Sequence, residues 1–298
     1  MCPDKASIGE WVGGARPRTL PAAIAPVAVG AGLGAWALAF DGWRVLLALV
    51  VAVALQIGVN YANDYSDGIR GTDEKRVGPV RLVGQGLAAP RAVKRAAWAS
   101  FAVAAVAGLA LVVLTGEWWL LLVGVASVAA AWLYTGGPRP YGYAGLGEVF
   151  VFVFFGLVPV VFTAYVQILT ITVSAVVGGI GVGLLSCAIL ITNNLRDIPG
   201  DTVAGKRTLA VRIGDRATRV LYAAVVATGL LAAVVLAATT SWWVALTALT
   251  GVLAIGPVRV VLGGARGPAL IPALKATGLL LLAYGLVAGG LLAIAAPR

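Results

Sequence analysis

The chain has 298 residues, of which 60% are hydrophobic and 11% charged, with a net charge of +10 and no His. Soluble domains carry about 25% charged residues, so this composition, with a mean hydropathy of +0.97, excludes an ordinary soluble domain and predicts an integral membrane protein. A basic balance can indicate nucleic acid, but here the positions of the charges argue for membrane topology instead.

Residues 1–18 are polar, hold Lys5, Arg16 and Arg18, and show no cleavable signal pattern. Apolar spans follow at about 19–40 and 43–61. A polar loop runs to about 95, and spans three and four cover about 96–115 and 118–134. After a loop over 135–148 come spans at about 149–166 and 170–190. A second polar loop reaches about 218, and the last spans lie at about 219–238, 242–261 and 273–295. Each is close to the ~20 residues that cross a bilayer core. The expected fold is an all-α membrane bundle of nine transmembrane helices: two four-helix halves with the same order of spans and loops, plus one. The whole chain is taken as a single domain, with motif loops at about 62–95 and 191–218.

With the amino terminus inside, only Arg44 and Arg298 of the 22 Lys and Arg fall on the outer side, as the positive-inside rule requires. Trp118, Trp119, Trp242 and Trp243 start spans on that outer side and read as interface anchors. Gly30–Ala39 and Gly178–Gly183 are rich in small residues that let helices approach closely. Pro21, Pro26 and Pro159 are candidate bends. Cys2 and Cys187 form neither a disulfide framework nor a zinc site.

Both long loops are inside, and both open with acidic clusters. In NYANDYSDGIRGTDEKRVGPVR, Asn60, Asn63, Asp64 and Asp67 fall at i, i+3, i+4 and i+7, one face of a continuing helix. Asp73, Lys75, Arg76 and Arg81 follow. In ITNNLRDIPGDTVAGKRTLAVRIG, Asn193, Asp197 and Asp201 are spaced by four, and Lys206 and Arg207 follow. One such cluster alone reads as helix capping or turn chemistry; two at equivalent places of a repeated pattern do not. Carboxylates ~4 Å apart repel by about 4 kcal/mol at an effective dielectric of 20, and a divalent cation removes that cost. Oxygen donors without His or clustered Cys suit Mg²⁺, which completes its shell with waters and substrate phosphates. Adjacent Lys and Arg can hold the remaining phosphate oxygens. The chemistry expected is ionisation of a lipid diphosphate ester, with Mg²⁺ and cations stabilising the leaving group. A secondary transporter is the competing class. It would place its site near the midplane, whereas both clusters lie at helix ends and the spans hold almost no ionisable residues.

The NDxxD run at Asn63–Asp67 and the DxxxD run at Asp197–Asp201, the latter within DIPGDTVAGKRTL, resemble the paired signatures of the UbiA-type intramembrane prenyltransferases. The likeness covers essentially the whole chain. NYANDYSDGIRGTDEKRVGPVRLV and LYTGGPRPYGYAGLGEVFVFVFFG are similar to the branch acting on 1,4-dihydroxy-2-naphthoate; 4-hydroxybenzoate or a glycerol phosphate are the alternative acceptors. Gly71 stands where many relatives carry a third Asp, and Asp73 lies two residues on.

The resemblance implies transfer of a polyprenyl group from its diphosphate to the naphthoate ring, with loss of carbon dioxide, giving demethylmenaquinol for menaquinone synthesis. It implies catalytic Asp64, Asp67, Asp197 and Asp201. Asn60, Asp64 and Asp67, with Asn63 and Asp73 nearby, would hold one Mg²⁺, and Asn193, Asp197 and Asp201 the second. Arg70, Arg196, Lys206 and Arg207 are expected at the diphosphate. Lys75, Arg76 and Arg81 are expected at the diphosphate or the acceptor carboxylate, and Tyr134, Arg139 and Tyr143 around the aromatic acceptor. The partners would be polyprenyl diphosphate, 1,4-dihydroxy-2-naphthoate and membrane lipids, with no nucleic acid. The site would face the cytoplasm from a bacterial-type cytoplasmic membrane. Without His the chain offers no obvious base near neutrality; loss of carbon dioxide restores ring aromaticity without one.

Overall fold

The computed structural model describes residues 6–71 and 80–297. Those residues form helices and no strand. The helices are α1 Ile8–Ala15, α2 Pro21–Trp36, α3 Gly42–Ile69, α4 Pro90–Thr115, α5 Leu120–Leu133, α6 Gly147–Ile168, α7 Val173–Val203, α8 Leu209–Ala238, α9 Trp242–Leu262 and α10 Gly267–Ile294.

Seven of them are long and apolar enough to cross a membrane. An eighth span arises if α1 with its 3₁₀ extension and α2, bent by 49°, are counted as one. α5, the expected fourth span, has 14 residues, short of the ~20 that a bilayer core needs. The chain is thus a multi-pass helical membrane protein.

The bend before α2 is written locally. Ser7 and Glu10 form a capping box that starts α1. Arg16 then takes a left-handed φ of 54° and ends it, and Pro17 and Pro21 open the next two helical segments.

α3 and α7 do not stop where their apolar stretches stop. α3 has 28 residues and α7 has 31, about 42 and 46 Å at 1.5 Å per residue, against a bilayer core of ~30 Å. The polar first parts of both expected motif loops are therefore helical, through Ile69 and through Val203. Asp41 caps the start of α3, accepting from the amides of Trp43 and Arg44 at 3.0 and 3.1 Å. Thr172 caps α7 through the amide of Ala175.

α6 carries a π-turn at Val153–Leu157. Pro159 has no amide to give Phe155, four residues earlier, and the Ser186 hydroxyl of α7 donates to the Phe155 carbonyl at 3.4 Å. Gly156 lets the two backbones meet there, since a Cβ on it would lie 2.3 Å from the Gly183 Cα. One buried core joins α2, α6, α7, α8, α9 and α10, with Val160, Leu185, Tyr222 and Leu281 fully enclosed. A smaller core of Tyr61, Leu82, Val93 and Phe101 ties α3 and α4 to the chain that returns from the first motif.

Candidate active site

A cavity of about 1350 Å³ opens among α2, α3, α4, α5, α6, α7 and the start of α10. Ala48 and Asp67, 19 residues apart on α3, both line it, so it follows that helix for about 28 Å. One end is polar. The rest is apolar, walled by residues such as Val51, Leu55, Ala104, Leu121, Phe154 and Phe162.

The polar end joins the two motifs directly. The Asp67 carboxylate, 2% exposed, accepts from the Tyr143 hydroxyl at 2.5 Å and pairs with the Lys206 ammonium at 3.3 Å. Lys206 also lies over the Tyr143 ring, 4.5 Å from its centroid, and the Arg70 guanidinium lies 5.6 Å from it. The Lys206 amide donates to the Asp201 carbonyl at 2.8 Å and the Arg207 amide to the Tyr143 carbonyl at 3.0 Å. The loop after α5 is thereby fastened between both motifs.

Of the four expected catalytic carboxylates, Asp67 and Asp201 line the cavity. Asp64 is fully buried and accepts from the amides of Leu82 and Val83 at 2.7 and 3.2 Å, holding the chain that leaves the first motif. Asp197 receives Arg196 through two bonds, 2.7 and 2.8 Å, and the same guanidinium reaches the Asn193 side-chain oxygen at 2.8 Å.

Asn60, Asn63 and Asn193 line the cavity too. The Asn60 amide donates to the Ala15 carbonyl and to the Thr19 hydroxyl at 2.9 and 3.0 Å. The Asn63 oxygen accepts from Thr135 at 2.8 Å.

The expected substrate contacts divide. Arg81, Tyr134, Tyr143, Arg196 and Lys206 line the cavity. Arg70 is exposed and donates to the carbonyls of Thr135 and Gly137, bracing the loop. Arg139 and Arg207 are exposed and line no part of the cavity. Asp73, Lys75 and Arg76 lie outside the described residues. Tyr134 meets Tyr141 edge-on, and Tyr141 stacks on Phe150 with centroids 3.8 Å apart. Burial raises the Tyr141 phenol above its usual range, so it stays a donor, here to the Ala130 carbonyl at 2.7 Å.

Several wall residues have no signature in the sequence. Arg16, Arg18, Gln56 and Lys275 line the polar end, although Arg16, Arg18 and Lys275 read as membrane-topology charges. With Arg81, Arg196 and Lys206 they make six cations against the carboxylates of Asp67 and Asp201, an excess that suits a multiply charged anion.

The donor set accommodates a hard divalent ion. Asp67, Asp201, Asn60, Asn63 and Asn193 line one cavity end, both carboxylates buried. No group of three or more His, Cys, Asp or Glu makes a ready cage among the described residues. That matches Mg²⁺, which takes one or two carboxylates and completes its shell with waters and phosphate oxygens.

A helical membrane protein with a charge-lined chamber continuous with a long apolar tunnel is built to hold an amphiphile with an anionic head. The chain belongs to the UbiA prenyltransferase family, whose sequence pattern matches residues 23–270. It is 54% identical over 290 residues to the 1,4-dihydroxy-2-naphthoate octaprenyltransferase of Mycobacterium tuberculosis, covering 97% of this chain and 98% of that one. The Escherichia coli protein of the same description is 42% identical over 211 residues, 69% of this chain and 68% of that one. Among solved structures, a UbiA homolog from Archaeoglobus fulgidus bound to GPP and Mg²⁺ superposes with a TM-score of 0.67 at 16% identity, covering 94% of this chain and 99% of that one.

Proposed function

We propose that this chain is a 1,4-dihydroxy-2-naphthoate polyprenyltransferase of menaquinone synthesis. It transfers a polyprenyl group from polyprenyl diphosphate to the ring, releasing diphosphate and carbon dioxide and giving demethylmenaquinol. The observation that carries this is the Asp67–Tyr143–Lys206 junction at the mouth of an apolar tunnel. The relatives named for this activity, aligned over nearly the whole chain, support it.

The prenyl tail lies along the tunnel, where burial of its chain contributes roughly 0.8 kcal/mol per methylene. The diphosphate faces Lys206, Arg196 and Arg81. Asp67 and Asp201, with Asn60, Asn63 and Asn193, would hold two Mg²⁺ ions, which supply charge stabilisation for the leaving diphosphate. Asp64 and Asp197 stand behind them, fixing the first-motif exit and the Arg196 guanidinium. Lys206 and Tyr143 neutralise Asp67 before substrate arrives. The carbon–oxygen bond of the prenyl ester breaks, its electron pair leaving with the diphosphate, and the ring carbon that bears the carboxylate bonds the prenyl carbon. The ring carboxylate then departs as carbon dioxide, its electron pair restoring aromaticity. The tunnel excludes water from the electron-deficient prenyl carbon. Asp73 would add an oxygen donor for the metal, and Lys75 and Arg76 would add cations for the diphosphate or the acceptor carboxylate.

The chain lies in the cytoplasmic membrane among lipids, in nine spans with α5 and the bent α1–α2 pair included. The excess of Lys and Arg on the motif side supports a cytoplasm-facing site.

The test is an assay of purified protein in nanodiscs with polyprenyl diphosphate, Mg²⁺ and either 1,4-dihydroxy-2-naphthoate or 4-hydroxybenzoate, following lipid product and carbon dioxide. Prenylated naphthoquinol with equimolar carbon dioxide is expected. Product from 4-hydroxybenzoate alone overturns the acceptor, and no product from either overturns the function.

A further inference from the structure

The Thr19 hydroxyl is the junction of a hydrogen-bond set that joins α3 to the break before α2. Its single proton goes to the Arg16 carbonyl at 2.8 Å. Its lone pairs then accept from the Gln56 side-chain amide at 2.9 Å and the Asn60 side-chain amide at 3.0 Å. A hydroxyl has one donor and two acceptor positions, so Thr19 is saturated. Turning the Gln56 amide over would require the Thr19 hydroxyl to give up its bond to the Arg16 carbonyl. With the Thr19 proton on the Arg16 carbonyl, the Gln56 amide donates to Thr19 and directs its oxygen away from it.

That oxygen has no hydrogen-bond partner among the described residues, although Gln56 is 5% exposed and belongs to the cavity wall. A buried acceptor without a donor is costly, and a ligand that brings a hydroxyl removes the cost. Gln56 precedes Asn60 by one turn of α3, about 6 Å along the axis, so a ligand there lies beside the polar end and at the top of the apolar tunnel.

Resting on the reaction given above, the substrates can be sorted by what they donate. A prenyl tail has no donor, and an ionised diphosphate only accepts. The aromatic acceptor alone carries hydroxyls. The 1-hydroxyl of 1,4-dihydroxy-2-naphthoate is adjacent to the carboxylate and bonds to it internally, which leaves the 4-hydroxyl as the free donor. We propose that Gln56, held in orientation by Thr19, accepts the 4-hydroxyl of the dihydroxynaphthoate and so selects an aromatic acid whose second hydroxyl stands para to the first. Arg16 and Arg18, brought to the same wall by the break that carries Thr19, supply cationic surroundings for the carboxylate. Thr19 is a positioning residue: it acts through Gln56.

The experiment compares 1,4-dihydroxy-2-naphthoate with 1-hydroxy-2-naphthoate, which lacks only the 4-hydroxyl, in wild type, Gln56→Met, Thr19→Val and Thr19→Ser. Binding of both naphthoates and the KM for prenyl diphosphate are measured in nanodiscs under reducing conditions. Wild type should hold the dihydroxy compound about tenfold more tightly, the scale of one buried hydrogen bond. Gln56→Met should bring the two compounds within about twofold of each other and leave the KM for prenyl diphosphate unchanged; Thr19→Val should bring the two naphthoates equally close, and is read by that preference alone because Asn60 also donates to Thr19. Thr19→Ser should restore the preference. A tenfold preference that persists in folded Gln56→Met, or a change confined to the prenyl diphosphate KM, overturns the assignment. Should Gln56→Met not fold, the Thr19→Val and Thr19→Ser pair decides by the preference between the two naphthoates: lost in Thr19→Val and restored in Thr19→Ser supports the assignment, and kept in Thr19→Val overturns it. Wild type forming no product from the dihydroxy acid would instead defeat the reaction itself, before any variant is compared.

Discussion

Asp67 and Lys206, 139 positions apart in the chain, meet at 3.3 Å with side chains 3% and 6% exposed. The pair joins the end of α3 to the loop after α7. The ammonium holds a buried carboxylate that a divalent ion can also claim. Breaking a buried pair from one side costs about 3–5 kcal/mol, because the remaining charge stays buried without compensation.

Lys206→Met should therefore lower the melting temperature in EDTA by several degrees. Mg²⁺ should return more of that loss in the variant than it adds to wild type, because the ion takes over the neutralisation of Asp67. Thermal unfolding in nanodiscs with and without Mg²⁺ measures both; equal Mg²⁺ effects in the two proteins would contradict the shared role of Asp67.

Tyr143 contributes a hydroxyl to Asp67 and a ring face to Lys206 and Arg70. Tyr143→Phe keeps the ring and should reduce kcat/KM about tenfold, in line with one charge-assisted hydrogen bond. Tyr143→Ala removes the cation–π contacts as well and should cost at least another factor of ten. Steady-state kinetics with prenyl diphosphate varied distinguishes the two steps.

Asp64 and Asp67 should fail differently. Asp64→Ala frees the amides of Leu82 and Val83, so hydrogen exchange at those two positions should accelerate by at least tenfold. Asp67→Asn should leave that exchange unchanged and raise the Mg²⁺ concentration needed for half-maximal activity by tenfold or more. Exchange mass spectrometry and a metal titration read the two effects separately.

The tunnel makes a prediction about chain length. Gly108 lines its apolar part, and a Cβ there would meet only Val51 at 3.9 Å. Gly108→Trp should therefore fold yet obstruct the bore. The KM for an octaprenyl donor should rise tenfold or more, while geranyl diphosphate is used as before. Equal loss with both donors would show that the long tail does not follow this path.

Much of the architecture is legible without coordinates because it is local. The apolar stretches locate the helices, and the i, i+3, i+4, i+7 spacing of Asn60, Asn63, Asp64 and Asp67 shares one face if α3 runs on through the motif, as it does to Ile69. The expectation that the chain becomes a loop at about residue 62 missed this, since polar side chains end an apolar stretch without ending a helix. The same holds at Asn193–Asp201. Charges were harder to sort. Arg16, Arg18 and Lys275 satisfy the positive-inside rule whether they face headgroups or a cavity, and Arg139 and Arg207 look equally suited to an anion yet are exposed. Gln56 sits within an apolar run, with nothing local to mark its orphaned oxygen.

A membrane-embedded helical bundle and two paired sets of oxygen donors followed by cations are written locally in the chain. Composition and helical spacing carry that information, and both depend on near neighbours in the chain. Which donors face the chamber depends on packing in three dimensions. Asp64 and Asp67 differ by about 60° around one helix, at 3.6 residues per turn. That rotation is enough to send one carboxylate to the amides of Leu82 and Val83 and the other to Lys206. What lies at each angle is set by segments far away in sequence, and their arrival depends on packing the whole bundle.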